Sequence, residues 1–149
     1  MHIVCPHCQT TNRVQPGQLS LSPTCGNCKQ RLFTGHPVAL DDTTFDKHVS
    51  RSQIPVLVDF WASWCGPCRA MAPAFEQAAA RLEPHMRLAK VDTEVATATA
   101  QRYRVRSIPT LMLFVDGREV ARQAGALTSP LQVQQWARHY AAGRTHTAV

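Results

Sequence analysis

Residues 56–68 read VLVDFWASWCGPC, and this stretch decides the fold of the chain. Its first half, residues 56–61, is almost continuously apolar, which is typical of a strand buried on both faces. A helix is predicted next, because apolar residues then recur with helical spacing at Met71, Phe75, Ala78, Ala79 and Leu82. The stretch therefore predicts a strand, a turn and a helix, with Cys65 at the point where the helix opens.

Further elements complete an α/β pattern. Strands are predicted at residues 38–40, 86–91, 110–115 and 119–124, the last two joined by the hairpin signal Asp116-Gly117. Helices are predicted after Asp41 or Asp42 as cap, over residues 95–103, and from Thr128 or Ser129 to Gly143. The order βαβαβαββα implies a parallel βαβ core extended by an antiparallel hairpin, with helices on both faces.

The first 36 residues differ from the rest. They hold four cysteines within residues 5–28, and the segment between the cysteine pairs shows little helical or strand periodicity. A piece of about 36 residues cannot bury enough apolar surface to fold without a staple. With the turn signal Gly35-His36-Pro37, this predicts a small domain over residues 1–36 and a second domain over residues 37–149.

Composition narrows the class of protein. The chain is 44% hydrophobic, has no apolar run of membrane length and shows no secretory signal, so we expect a cytoplasmic protein without a membrane partner. The formal net charge is +6, and residues 1–36 carry Arg13, Lys29 and Arg31 with no acidic residue. So few charges favour a solvated basic surface over nucleic-acid binding.

The pair Cys65 and Cys68 has the spacing of a redox site. A helix N-terminus carries unpaired N–H groups and a partial positive charge, which stabilise a thiolate. Cys68 lies one turn further, close enough to close a disulfide, and Gly66 and Pro67 leave no bulky side chain between them. A Cys-x-x-Cys beside a βαβ pattern is the expected redox context, although an inert buried pair or half of a metal site is the plainer interpretation.

The sequence VDFWASWCGPC resembles the active-site signature of the thioredoxin family, over nearly all of residues 37–149. The resemblance implies the thioredoxin fold, a central mixed sheet flanked by helices. It also implies that Cys65 is the exposed attacking thiolate and Cys68 the buried resolving thiol of a protein-disulfide reductase. Asp59 would exchange a proton with Cys68, helped by Lys90. From the residues alone, a buried Asp59 could simply be hydrogen-bonded and Lys90 solvated.

The same resemblance implies the substrate side of the site. Pro109 would be a cis proline that faces the disulfide, and backbone at Ile108 would pair with the substrate chain. The substrate-binding surface would comprise Trp64, Gly66, Pro67, Ile108 and Gly125. Disulfide-containing proteins would be the substrates, and an NADPH-dependent thioredoxin reductase would be the electron donor. No bound organic cofactor is expected.

Cys5, Cys8, Cys25 and Cys28 form two Cys-x-x-Cys pairs separated by sixteen residues. This spacing predicts one structural Zn²⁺ held by four thiolates in a zinc ribbon. Cys-Pro-His-Cys also resembles the active-site tetrapeptide of strongly oxidising thioredoxin-fold proteins, but no strand is expected before it and no amphipathic helix after it. Two disulfides would also use all four cysteines, and His7 could replace one of them as a ligand.

A zinc ribbon joined to a thioredoxin domain resembles the bacterial thioredoxin 2 type. The leading hypothesis is a protein-disulfide reductase with a structural or redox-sensing zinc site. A second hypothesis is a zinc-ribbon binding or targeting module that carries a redox domain. A third is a net disulfide oxidant or isomerase, against which the absence of a secretory signal argues.

Overall fold

A computed structural model describes the backbone of residues 1–145 and the side chains of residues 1–142. The strands are β1 His2–Val4, β2 Thr11–Arg13, β3 Val38–Leu40, β4 Val56–Trp61, β5 Arg87–Asp92, β6 Thr110–Val115 and β7 Arg118–Ala124. The α-helices are α1 Phe45–Arg51, α2 Gly66–Leu82, α3 Thr97–Arg102 and α4 Pro130–Thr145, and a 3₁₀ helix spans Pro16–Leu21.

The five strands β3 to β7 form one mixed sheet in the order β3-β5-β4-β6-β7. β4 lies at its centre, parallel to β5 and antiparallel to β6, and β7 closes the antiparallel hairpin. The predicted α/β order is therefore confirmed, including the buried strand over residues 56–61. The division at residue 36 stays a prediction, and residues 146–149 of the second predicted domain lie outside the described residues.

Helices cover both faces of this sheet. On one face α2 and α4 pack around a cluster that includes Leu57, Phe75 and Val133. On the other face α1 packs around a cluster that includes Phe45 and Val58. Leu57 and Val58 point to opposite faces because side chains alternate along a strand. Within the described residues, no helix has the length and apolar character that a membrane crossing requires.

Two helix ends differ from the prediction. Asp41 accepts hydrogen bonds from the backbone of Thr43 and Thr44 just before α1, but Asp42 reaches a different helix. Its carboxylate accepts from the backbone N–H of Thr99 at 2.8 Å and so caps α3, 57 residues away. α4 runs through Gly143 to Thr145, since one glycine lowers helix stability without ending a packed helix.

The N-terminal region contains more regular structure than the sequence predicts. β1 and β2 pair antiparallel around the first cysteine pair, and the 3₁₀ helix follows. The expectation that no strand precedes Cys5 is therefore wrong, because β1 ends at Val4. Three-residue strands are too short to show a period of two, whereas the expectation that no amphipathic helix follows the pair is confirmed.

This region packs directly on the large sheet. Ile54, which precedes β4, belongs to the same buried cluster as Ile3, Leu19 and Leu32. The backbone of Gln53 donates to the carbonyl of His2 at 2.8 Å. The N-terminal cluster thus includes one residue, Ile54, from the larger part of the chain.

Arg87, the first residue of β5, joins the N-terminal region to the large sheet through hydrogen bonds and an ion pair. It is 1% exposed, and its Nη2 donates to the carbonyls of Val4 at 3.0 Å and Leu32 at 2.8 Å. Its Nη1 lies 3.4 Å from the carboxylate of Glu83, which also accepts from the backbone of Gly35 at 3.0 Å. A buried cation is tolerated only when it is paired and hydrogen-bonded, as this one is.

We predict that Arg87→Ala lowers the free energy of unfolding by about 3–5 kcal/mol, because Glu83 and two buried carbonyls lose their partner. Urea unfolding followed by far-UV circular dichroism measures the difference. The exposed Arg81, in the last turn of α2, offers a matched control, and Arg81→Ala should change stability by less than about 0.5 kcal/mol. Similar losses in both variants would contradict this role for Arg87.

Candidate active site and metal centre

The junction between β4 and α2 places Cys65 at the helix N-terminus. Cys65 is the N-cap residue of α2, and its Sγ accepts a hydrogen bond from the backbone N–H of Cys68 at 3.2 Å. Gly66 and Pro67 are the first two residues of α2, and both are exposed. Backbone N–H groups in the first turn have no partner within the helix, so the missing N–H of proline costs no hydrogen bond there. The predicted placement of the pair between strand and helix is confirmed.

Cys65 and Cys68 form a disulfide, with Cα atoms 5.2 Å apart. Cys65 is 4% exposed and Cys68 3% exposed, so the expected contrast between an exposed and a buried cysteine is wrong for this disulfide form. The physical reason is the packing of Ile108, whose carbonyl oxygen lies 3.7 Å from the Sγ of Cys65. What distinguishes the two residues is the hydrogen bond at the helix N-terminus, which Cys65 alone receives.

Asp59 lies on β4, the central strand of the sheet. It is 1% exposed, and neither carboxylate oxygen has a hydrogen-bond partner among the described protein groups. Asp59 is two residues from Leu57 and so faces α2, the helix that carries Cys68. Burial raises the pKa of Asp59 to about 7, although the charge of Lys90 lowers it. A carboxyl group with this pKa can exchange a proton at neutral pH.

Lys90 is the direct neighbour of Asp59 on β5 in the parallel register. The residue is half-buried, and its Nζ lies 4.8 Å from the ring centroid of Trp61. This cation–π contact holds the ammonium group over the ring of Trp61, two residues from Asp59 on β4. Trp61 therefore orients the charge of Lys90.

The segment before β6 forms the opposite wall of the site. The Ile108–Pro109 peptide bond is cis, as the resemblance implies. The backbone N–H of Gly125 donates to the carbonyl of Pro109 at 3.0 Å, and Gly125 has a φ of +94°, which a side chain would disfavour. Cys65, Ile108, Pro109 and Gly125 are thus brought together by the ends of three elements.

Trp64, directly before Cys65, is 64% exposed, and its indole Nε1 donates to a carboxylate oxygen of Glu94. The neighbouring Thr93 donates through its backbone and its hydroxyl to the carbonyl of Trp61, at 2.9 and 3.1 Å. Neither Thr93 nor Glu94 was identified from the sequence. They lie about 30 positions from the tryptophans, and no local pattern indicates a contact of that kind.

The other four cysteines converge on one point. Their sulfur atoms all lie within 4.8 Å of one another, with 3.6 Å between the sulfurs of Cys5 and Cys28 and of Cys8 and Cys25. Tetrahedral zinc with Zn–S bonds of about 2.3 Å requires sulfur separations of about 3.8 Å. The four residues therefore fit a zinc ion. They are free thiols and not two disulfides.

The two cysteine pairs sit in matching turns. In each turn the backbone N–H two residues after the first cysteine points at its sulfur, from His7 to Cys5 at 3.3 Å and from Asn27 to Cys25 at 3.4 Å. Gln9 and Lys29 close the turns with φ values of +64° and +67°. Hydrogen bonds of this kind stabilise thiolate ligands, and the sequence cannot show them.

Side chains complete the surroundings of the sulfurs. The hydroxyl of Thr10 lies 3.2 Å from the Sγ of Cys8. This contact is the largest of the contributions that lower the pKa of Cys8 to about 5. His7 directs its Nε2 to the carbonyl of Arg31 at 3.2 Å, so it does not join the ligand set. Two neighbours missed by sequence analysis, Asn12 and Asn27, donate from their amides to Cys25 and Cys8.

Comparisons with known proteins agree with this geometry. The family described as Thioredoxin matches residues 36–138, and the family described as Thioredoxin 2, N-terminal matches residues 4–30. Thioredoxin C-3 from Corynebacterium nephridii is 46% identical over 136 residues, which cover 91% of this chain and 92% of that protein. Thioredoxin 1 from Synechococcus elongatus is 47% identical over 89 residues, which cover 60% of this chain and 83% of that protein.

A solved structure is similar as well. A mutant thioredoxin from Halobacterium salinarum NRC-1 is 32% identical and superposes with a TM-score of 0.64, covering 73% of this chain and 94% of that one. The match to the second family falls on the segment that holds the four converging cysteines. Both halves of the expected fold, the mixed sheet and the zinc ribbon, are therefore supported.

Because burial raises the pKa of Asp59 above its value of 3.8 in an unfolded chain, the folded protein holds a proton that the unfolded chain releases. Stability from this group is complete below about pH 4 and is lost as the pH rises through about 7. We expect the free energy of unfolding of the disulfide form, relative to Asp59→Asn, to fall by about 4 kcal/mol over this range. Urea titrations at several pH values measure it, and parallel curves for the two proteins would contradict the assignment.

Proposed function

This chain belongs to the thioredoxin family and is a thiol-disulfide oxidoreductase, and we propose that it reduces protein disulfides through Cys65 and Cys68. One observation carries the proposal: the two residues close a disulfide at the N-terminus of α2, where a backbone N–H points at Cys65. That hydrogen bond and the helix dipole stabilise a thiolate on Cys65 once the disulfide is reduced.

The first step is attack by the Cys65 thiolate on one sulfur of a substrate disulfide. A mixed disulfide forms between Cys65 and the substrate, and the other substrate sulfur leaves as a thiolate. The substrate chain pairs with backbone at Ile108, beside cis Pro109, and contacts Trp64, Gly66, Pro67 and Gly125. The carbonyl of Ile108 lies 3.7 Å from the Cys65 sulfur, within reach of a chain held there.

The second step releases the substrate. Asp59 takes the proton of the Cys68 thiol, and the Cys68 thiolate attacks the Cys65 sulfur of the mixed disulfide. The Cys65–Cys68 disulfide forms and the second substrate sulfur leaves, so that two electrons pass to the substrate. Lys90, beside Asp59 in the register, stabilises the carboxylate after each proton transfer. The disulfide form described above corresponds to the end of this step.

Cys5, Cys8, Cys25 and Cys28 would hold one structural zinc ion. When bound, zinc would cross-link the two turns and add folding free energy to a segment that is too small to fold alone. The sulfur separations and the matching N–H hydrogen bonds support this role. Residues 1–36 would then form a small domain stabilised by the metal, followed by a thioredoxin domain over residues 37–149.

Regeneration requires an external reductant that returns two electrons to Cys65 and Cys68. We assign this role to an NADPH-dependent thioredoxin reductase, and we place the protein in the cytoplasm, where thiols stay reduced. Four free cysteines near one another fit such a compartment.

We predict that Cys65→Ser lowers insulin-disulfide reduction by at least about 100-fold, because a serine hydroxyl is a far weaker nucleophile than a thiolate. NADPH consumption with a thioredoxin reductase measures the rate. Cys68→Ser should instead form a mixed disulfide that it cannot resolve, visible as an adduct on a non-reducing gel. Ser63→Ala, in the same exposed loop, should retain activity within about 2-fold. Undiminished turnover in Cys65→Ser would overturn the proposal.

Zinc content provides a separate test. The wild type should carry about one zinc ion per chain, and Cys8→Ser should lose it during gel filtration, since a structural site needs its full ligand set. His7→Ala and Cys65→Ser serve as controls and should keep their zinc. Atomic emission on the same samples measures the metal, and retention in Cys8→Ser with loss in His7→Ala would refute the ligand assignment.

A further inference from the structure

A groove of about 410 Å³ lies between α3 and the segment that leads to Pro109. Its lining residues are Thr93, Thr97, Ala100, Gln101, Arg104, Val105 and Arg106. On one side of the groove, Thr93 donates hydrogen bonds to the carbonyl of Trp61 at the end of β4. On the other side, Arg106 lies two residues before Ile108 in the sequence. Two residues of extended chain span about 7 Å, which is the distance along the backbone between Ile108 and Arg106. A substrate chain bound at Ile108 therefore comes near the groove.

Arg104 occupies a position that favours glycine. The backbone N–H groups of Arg104 and Val105 donate to the carbonyls of Gln101 and Ala100, each at 3.0 Å, which is the Schellman pattern at the end of α3. The residue that follows a helix in this pattern adopts a left-handed conformation, and Arg104 has a φ of +53°. A bulky side chain in that conformation is unfavourable, and such outliers often occur at functional positions.

The ionisable groups that line the groove are both arginines. Neither the Arg104 nor the Arg106 guanidinium has an ion-pair or hydrogen-bond partner among the described residues, and both residues are exposed. Two acids on neighbouring segments have other partners. Glu94 accepts from the indole of Trp64, and Glu119 pairs with Arg122, which is bonded to the carbonyls of Tyr103 and Arg104.

Apolar surface lies next to these charges. Val95 is 67% exposed in the loop that contributes Thr93 and Thr97 to the groove, and Trp64, 64% exposed, donates to Glu94 of the same loop. Exposed apolar groups give contact area without choosing among substrates, whereas unpaired charges at the rim of an interface set the choice of partner and the rate of encounter.

We propose that Arg104 and Arg106 form a selectivity site that favours substrate disulfides flanked by acidic residues. The inference rests on the proposed reductase function, because the substrate chain must pass Ile108 to reach the groove. A carboxylate two or three positions from the attacked cysteine pairs with these guanidinium groups, and a lysine at the same position is repelled. The site acts on binding and leaves the chemistry of Cys65 and Cys68 unchanged.

The test uses three peptides, each with one internal disulfide and identical apart from Glu, Gln or Lys at the positions that flank the cysteines. Pre-reduced full-length protein is mixed with each peptide, and tryptophan fluorescence gives the second-order rate constant. We expect the Glu peptide to react about 10-fold faster than the Lys peptide at low ionic strength, with the ratio shrinking in about 0.5 M salt.

Variants separate a local effect from net charge. Arg104→Glu/Arg106→Glu should reverse the order of the Glu and Lys peptides and leave the Gln peptide within about 3-fold. The matched control, Arg118→Glu/Arg138→Glu, changes the same number of exposed charges, at the far end of the β6–β7 hairpin and in the middle of α4, and should keep the wild-type ratio. Arg104→Gly should lower the ratio about 3-fold without loss of stability, because glycine accepts the left-handed conformation.

Each outcome has a distinct meaning. Equal rates for the three peptides with the wild type, or a change of ratio in the control as large as in the test variant, would overturn the selectivity site and leave the reductase function intact. Failure of the wild type to reduce even the Gln peptide would overturn the reductase function and, with it, this inference.

Discussion

Burial of strand β4 on both faces and both edges is the constraint on which the rest of the structure depends. β5 and β6 pair with its two edges, and α2 and α1 cover its two faces. Because both faces are buried, only one register keeps the apolar side chains of β4 in the core. This register sets Asp59 beside Lys90 and under α2, and it ends the strand where Cys65 can cap the helix. A slip of one residue would turn Asp59 to the opposite face of the sheet, away from the helix that carries Cys68.

The N-terminal region depends on that sheet as well. Arg87 opens β5, next to the strand that carries Asp59, and its guanidinium holds the carbonyls of Val4 and Leu32 on either side of the four cysteines. Val4 directly precedes the first cysteine. The backbone on both sides of the four sulfurs is therefore held by a residue of the larger part of the chain.

The three Cys-x-x-Cys pairs share a spacing and differ in their surroundings. Cys65 follows a strand and opens a helix of seventeen residues, whose N-terminus stabilises a thiolate that attacks disulfides. The other two pairs lie in matching turns whose N–H groups point at the sulfurs and whose left-handed residues return the chain. Such turns present four thiolates to one point, which suits an ion rather than an exchange reaction.

The sequence by itself determined the order of the strands and helices from residue 38 onward, the strand–helix junction at Cys65 and the separation of the six cysteines into a strand–helix pair and a set of four. These features follow from apolar periodicity and from short spacings, which are local. Only the tertiary structure decided that Asp42 caps α3, that Arg87 joins the two regions, that Cys65 is covered by Ile108 and that Glu94 meets Trp64. The sequence could not show these contacts, because each joins residues between 30 and 83 positions apart, and nothing in the local pattern of either partner specifies the other.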